Sequence, residues 1–395
     1  MKFAPPEDHM AVMPFTLQCL RLFGLRGDRR NRVHFVLALL YRVMLLNFPK
    51  LAFGFRDRID LVIRSISELL FQIHIDLRAV LFATKLGEFE ELVGILRKVY
   101  NKVKTLDANS SERKIIETSN LGIDRRSKSY ALYVAIAVTV FFWVPVVQTT
   151  AIWLLNRGSN STDRPEFVTM MELEFYGMDH RQNIVHYFVY ATFSSVAHHY
   201  SAVYFALSGM VIFSCIKSIA ALFELVSIRL ATLHELSGKE LREELADLVE
   251  LHVDGLRCIE LLENINNLAM MVQMVNCVLI WISMFLSIST HFTPEVVSLL
   301  VLLIVMTGET YVLCQLATEL SHVNLTVADS IHRSEWIQLP VDVQKGLAMM
   351  LQRAQKRQGL TAAKFFYMDP CMDVERFGRV AQTSYSIFVV LKERM

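Results

Sequence analysis

A chain of 395 residues with 53% hydrophobic residues and a mean hydropathy of +0.36 is too apolar for an ordinary soluble protein and holds several stretches near spanning length. The formal net charge of +1 names no partner, and no nucleic acid is expected; what informs is where along the chain Lys and Arg fall. The six cysteines include no CxxC pair, and none lies in a segment expected outside the cell, which argues against a disulfide framework or a zinc site.

The N-terminus carries no visible secretory signal. Pro5, Pro6, Glu7 and Asp8 precede a short amphipathic piece and the basic cluster Arg26, Arg29, Arg30 and Arg32, which should hold this end in the cytosol. Residues 33–55 are the first spanning candidate, interrupted by Arg42 and Lys50. Residues 59–83 are the second, with Arg64, Glu68, Asp76 and Arg78 inside it. Such charges cannot face lipid cheaply, so they must snorkel, pair or line a polar cavity. Residues 85–128 form a polar, basic segment. The clearest span is 130–155, with Trp143, Pro145 and Gln148 toward its far end; Pro145 should kink it.

A loop, 156–183, follows. The fourth span, 187–225, continues as an amphipathic helix through 236, and the charged piece 239–263 reads as helical, with His234 and His252 solvated. Residues 268–290 and 296–318 are the fifth and sixth spans, joined around Pro294. Residues 319–370 are mostly polar but contain an amphipathic stretch, 341–357. The last span is 377–391.

The expected fold is therefore all-α and polytopic: seven transmembrane helices, with the N-terminus cytosolic and the C-terminus extracellular. Positive charge supports this orientation, since the segments placed inside hold most of the loop Lys and Arg. A glycosylation sequon at Asn160 lies in a loop placed outside, although two more, at Asn109 and Asn324, fall inside and would go unused. No repeat or Gly/Ser linker divides the chain. It reads as one domain, 1–395: a cytosolic N-terminus (1–32), six helices with their loops (33–320), a cytosolic anchor region (321–370) and a terminal pore helix (371–395).

Residue order now supports a resemblance. Pro14-Phe15 and Cys19-Leu20-Arg21-Leu22-Phe23-Gly24-Leu25 near the start, then Cys314, Glu319, Val327-Ala328-Asp329-Ser330-Ile331, Trp336, Pro340, Gln355-Lys356-Arg357, Leu360-Thr361-Ala362 and Ser384-Tyr385-Ser386 with Phe388 and Leu391, resemble the pattern of the insect odorant receptor family. Ile331, Gln358 and Ala363 depart from it where Tyr, Pro and Gly are usual. The family's co-receptor has a longer second cytosolic loop than 236–264 allows, so the chain resembles an odour-tuned subunit. Gustatory receptors usually close on a Thr-Tyr step rather than Ser-Tyr-Ser.

The resemblance implies a subunit of a heterotetrameric, non-selective cation channel in the plasma membrane of a sensory neuron dendrite. Its partners would be the co-receptor, a small volatile odorant, the bilayer and permeating cations, with no cofactor. It further implies a ligand pocket in the outer half of the membrane between the second, third, fourth and sixth helices. At that depth lie Phe71, His74 and Ile75; Trp143, Val147 and Gln148; Tyr190 and Ser194; and Val301 and Ile304. His74, Gln148, Tyr190 and Ser194 would supply the hydrogen bonds. Several are three or four residues apart, as cofacial positions must be, though ordinary packing gives the same spacing.

Terminal helices gathered about an axis could close a pore by a ring of apolar side chains. Ile387, Val390 and Leu391 are the candidates, with Ser384 and Tyr385 below them. Val341, Val343, Leu347, Met350 and Leu351 make the apolar stripe by which subunits would associate. No catalytic constellation is apparent, and the adjacent His198 and His199 diverge by about 100° on a helix, too far to share a metal readily. A G-protein-coupled receptor would need the reverse orientation, and a transporter would need inverted repeats.

Overall fold

The computed structural model describes residues 10–53, 59–156, 166–290, 296–356, 358–362 and 374–394. Almost all of them are helical, and no β-strand occurs among them. In chain order the helices are α1 (Pro14–Leu22), α2 (Arg29–Arg42), α3 (Phe48–Phe53), α4 (Ile59–Thr84), α5 (Leu86–Lys104), α6 (Ser111–Asn156), α7 (Ile184–Thr232), α8 (Gly238–Thr290), α9 (Val296–Arg333), α10 (Val341–Ala354) and α11 (Val374–Arg394). A π-helical turn, Val43–Asn47, joins α2 to α3, so these read as one bent rod.

Among the described residues, four segments are long and apolar enough to cross a membrane: Arg29–Phe53, Ser111–Asn156, Ile184–Glu235 and Gly238–Leu286. α7 is the spine of the bundle. Its buried residues run from Tyr187 to Leu230, on one face at first and on every side from Tyr204 to Val226, the signature of a helix enclosed by others along that stretch. It packs on α6, α9, α8 and α4, while α11 lies against α8 and α9.

The polar halves differ most from the sequence reading. Residues 85–128, read only as a polar, basic segment, form α5 and the first third of α6, and the pieces 239–263 and 268–290 are one continuous helix, α8. Likewise α9 runs on past 318 to Arg333. The physical reason is amphipathicity: Phe89, Leu92, Val93, Leu96, Val99, Tyr100 and Val103 of α5 recur at helical spacing and are all buried, with Lys and Glu on the other face. Pro145 lies within α6 without ending it. Residues 166–183 have no regular structure yet are not a surface loop, because Phe167, Met170, Met171, Leu173 and Phe175 are buried against α6 and α7.

His252 also departs from expectation: His234 is exposed but His252 is buried. Asn324 Nδ2 donates to the carbonyls of Arg353 and Lys356, so its Oδ1 is left to accept from His252 Nε2 at 3.0 Å. Burial holds this imidazole below its ordinary value, with nearby Arg353 acting in the same direction. The unfolded chain then binds a proton at higher pH than the folded one, so stability is complete above about pH 6.5 and declines as pH falls below it. A thermal melt of the solubilised protein should shift downward on acidification from pH 7.5 to about 5.5, and His252→Gln should flatten that shift.

Candidate functional site

The charges within α4 find partners in the bundle. Glu68 accepts from Lys50 Nζ at 2.7 Å, from Arg64 Nε at 2.9 Å and from the backbone N–H of Glu172 at 2.9 Å. Lys50 Nζ also donates to Ser65 O. Asp76 pairs with Arg42 at 2.7 Å and accepts from Asn47 at 2.8 Å. Deeper in the bundle, Arg78 Nη1 reaches Glu309 at 2.7 Å and Gln273 Oε1 at 3.0 Å, joining α4 to α9 and α8. These pairs fix the depth of α4 against its neighbours, since each charge would be costly without its partner.

Beside this ladder α4, α6, α7 and α9 surround a cavity of about 130 Å³. Phe71 and Ile75 line it from α4, Val138 and Phe141 from α6, Ala202 and Phe205 from α7, and Val305 from α9. Met171 closes it from the packed segment before α7. The Phe71 and Phe205 rings lie 5.8 Å apart, and Phe141 lies 5.7 Å from the His198 ring. Polar groups are few. Ser201 Oγ and Gln72 Oε1 bond to one another and to Arg42. His198 directs Nδ1 at Ser194 O, 2.7 Å away, while His198 Nε2 and Ser194 Oγ are buried without a hydrogen-bond partner.

The expected pocket residues distribute as follows. Phe71 and Ile75 line the cavity. His74 is buried one side-chain away, 3.4 Å from Arg78. Tyr190 is buried nearer the 166–183 segment, where its hydroxyl accepts from the Met171 N–H at 3.2 Å. Ser194 lies between, one turn before His198. Trp143, Val147 and Ile304 are 54%, 62% and 64% exposed, and Gln148 is exposed too. The Val301 side chain lies outside the described residues, as does Asn160.

On three helices the cavity therefore sits deeper than the expected residues: toward Phe141 and Val138 on α6, His198 to Phe205 on α7, and Val305 on α9. Residues 166–183 fill the space above it. Apolar positions recur at the same spacing along each helix face, which leaves depth undetermined; the buried Met170 and Met171 in an acidic stretch were the available signal.

On the terminal helix, Ser384 is buried and donates to Val380 O at 2.9 Å. Tyr385 stacks edge-on to Phe285 yet is largely exposed, and Ile387 and Val390 are exposed. The Leu391 side chain lies outside the described residues. Among the described residues no group of three His, Cys, Asp or Glu side chains is placed to hold a metal, and five cysteines are free.

The fold thus defines a helical, multi-pass membrane protein that encloses a small cavity with aromatic and aliphatic walls. The chain belongs to the 7tm Odorant receptor family, whose profile matches residues 58–385. Its fold is similar to that of the insect olfactory receptor OR5 from Machilis hrabei in complex with eugenol, with a TM-score of 0.77 and 15% identity over 98% of this chain and 100% of that one. A second structure of OR5 from Machilis hrabei gives a TM-score of 0.73 and 15% identity over 98% and 99% of the two chains. No curated protein sequence matches the chain.

Proposed function

We propose that this chain is an odour-tuned subunit of a heteromeric, ligand-gated, non-selective cation channel, opened by a small volatile molecule bound among α4, α6, α7 and α9. The observation that carries the reading is the cavity itself, about 130 Å³ with aromatic and aliphatic walls. It compares with an engineered apolar cavity of roughly 150 Å³ that takes up benzene. Few polar groups line it, the usual arrangement for orienting a small apolar ligand. That a solved OR5 structure is a complex with eugenol supports a small organic ligand in this fold.

Phe71 and Ile75 are wall residues in this reading. Ser194 and His198, one turn apart on α7, are the hydrogen-bonding hands. The Ser194 carbonyl can only accept, so His198 Nδ1 carries a proton and Nε2 of the neutral ring is an acceptor. A ligand hydroxyl is the matching group. Trp143, Val147, Gln148 and Ile304 face lipid, His74 serves the Arg78 network, and Tyr190 holds the Met171 segment over the cavity.

Seven spans read from hydropathy, oriented by the charge bias of the loops, give a cytosolic N-terminus and an extracellular C-terminus, and an N-glycan at Asn160 belongs to the same orientation. α11 is the pore helix, with Ile387, Val390 and Leu391 as gate and Ser384 and Tyr385 below. Val343, Leu347 and Met350 of the expected α10 stripe are instead buried within this chain against α9 and α8, which leaves Val341 and Met349 as the exposed apolar residues for neighbouring subunits in a heterotetramer with the co-receptor. Gating requires the odorant to bind the open-state cavity more tightly than the closed one, because a ligand of equal affinity for both shifts nothing.

The test is whole-cell current in cells expressing this chain with and without the co-receptor, exposed to an odorant panel. Odour-evoked cation current that needs both chains and survives block of G-protein signalling is expected. Current lost on that block would overturn the reading.

A further inference from the structure

A larger cavity, about 820 Å³, opens at the opposite end of the bundle from residues 166–183, where the turn between α1 and α2 meets the junction of α4 and α5. Arg21, Arg26, Arg32 and Arg97 line it against a single carboxylate, Glu90. Arg26 is committed to that carboxylate, with Nε and Nη2 at 2.5 and 2.7 Å from its two oxygens. The pairing holds the Glu90 carboxyl below its ordinary value. Arg21, Arg32 and Arg97 are exposed and make no direct ion pair among the described residues, although Arg97 is near enough to Glu90 to help hold its carboxyl down. Of the other exposed cations on α5 and α8, Arg257 pairs with Glu91 and Lys98 with Glu250.

The cavity wall is built rather than incidental. Gly24 sits at φ +84°, and a Cβ there would come within 2.3 Å of Asn31 O and 2.9 Å of Phe35 N. The turn is thus pressed onto the start of α2 in a conformation that glycine alone tolerates well. Asn31 Nδ2 straps it by donating to the carbonyls of Arg21 and Arg26.

Two apolar stripes lead away from these arginines. Val36 lines the cavity, and α2 presents Val33, Val36, Leu37 and Leu40 as exposed residues at helical spacing. Ala83 and Thr84 line it from α4, which exposes Val80 and Leu77 one and two turns further along. Unpaired guanidinium groups at one end and parallel aliphatic stripes at the other match an amphiphile with an anionic head.

We propose that this cavity binds an anionic membrane phospholipid of the inositol-phosphate class, its head group among Arg21, Arg32 and Arg97 and its acyl chains along the α2 and α4 stripes. Guanidinium forks suit phosphate oxygens. A phosphomonoester brings about −1.5 to −2 charges, enough to neutralise arginines that a single phosphodiester would leave uncompensated. The proposal rests on the cytosolic N-terminus proposed above, because lipids of this class lie in the cytosolic leaflet, and it needs α2 and α4 to meet lipid, but it does not depend on the gating.

The experiment uses the full chain in phosphatidylcholine nanodiscs containing a photo-crosslinkable phosphatidylinositol bisphosphate, with adducts mapped by mass spectrometry. Adducts should concentrate in residues 21–40 and 77–97. Arg21→Gln with Arg97→Gln should lower labelling by at least about tenfold, while Arg21→Lys with Arg97→Lys lowers it only a fewfold. Should the first pair impair folding, Arg32→Gln alone is read instead and must lower labelling severalfold. Undiminished labelling of a folded variant, or adducts elsewhere, overturns the proposal. Complete displacement by equimolar soluble inositol trisphosphate also overturns it, by assigning the cavity to a soluble anion.

Discussion

Glu68→Ala is expected to remove most of the folded protein from the membrane. The substitution takes the carboxylate from Lys50, whose side chain is fully buried, and leaves Ser65 O as its remaining acceptor. Breaking a buried pair from one side typically costs about 3–5 kcal/mol, a large share of the roughly 5–15 kcal/mol by which proteins are stable. It also strands the Glu172 N–H, which anchors the packed segment above the cavity. The double variant Lys50→Met, Glu68→Gln removes one of the two cations left without that carboxylate and keeps an acceptor for Arg64 and for the Glu172 N–H, so it should recover part of the surface protein. Surface biotinylation checks both, and an Ala variant that reaches the surface at parental levels would show that the pair contributes little.

The second large effect is expected at Glu309. Its carboxylate and the Arg78 guanidinium are about equally enclosed, 6% and 4% exposed, and Gln273 completes the junction of α4, α8 and α9. Glu309→Leu should cost about 3–5 kcal/mol by leaving Arg78 with only neutral partners. Arg78→Gln with Glu309→Gln should lose less than the sum of the single changes, because groups in contact do not act independently. Thermal unfolding of the detergent-solubilised protein measures the four corners of that cycle; additive losses would contradict a coupled junction.

Both networks were half legible in the sequence. Arg64, Glu68, Asp76 and Arg78 inside an otherwise apolar run announce that α4 must be neutralised, and Arg64 with Glu68 is readable as an i,i+4 pair. That Lys50 and Glu309 answer these charges depends on how the helices cross, which no local pattern encodes. Apolar runs likewise revealed where helices lie but not how far they extend. Residues 239–263 read as a separate piece from 268–290 because hydropathy falls between them, although the helix continues by burying one face of its charged half.

Phe71 and Ile75, read from the sequence of α4, line the cavity, whereas on α6, α7 and α9 its walls are neighbouring residues deeper along the same helices. Depth is fixed by what fills the space above, here Phe167, Met170, Met171 and Phe175. Short acidic stretches around these residues disguise a segment that folds into the bundle. The arginine cavity has a similar history: Arg26 and Arg32 stand out in sequence as a charge bias, but Arg97 joins them only through the fold.

The central claim is that an odorant opens the channel from the cavity beside Phe71 and Phe205. Its most direct test is Ala202→Phe, which adds a ring at a half-buried wall position, read as odour concentration against current in cells that also express the co-receptor. The account predicts parental amounts of surface protein with odour sensitivity reduced by at least about tenfold, since the added ring occupies the ligand's volume. An unchanged concentration–response curve would place the ligand elsewhere.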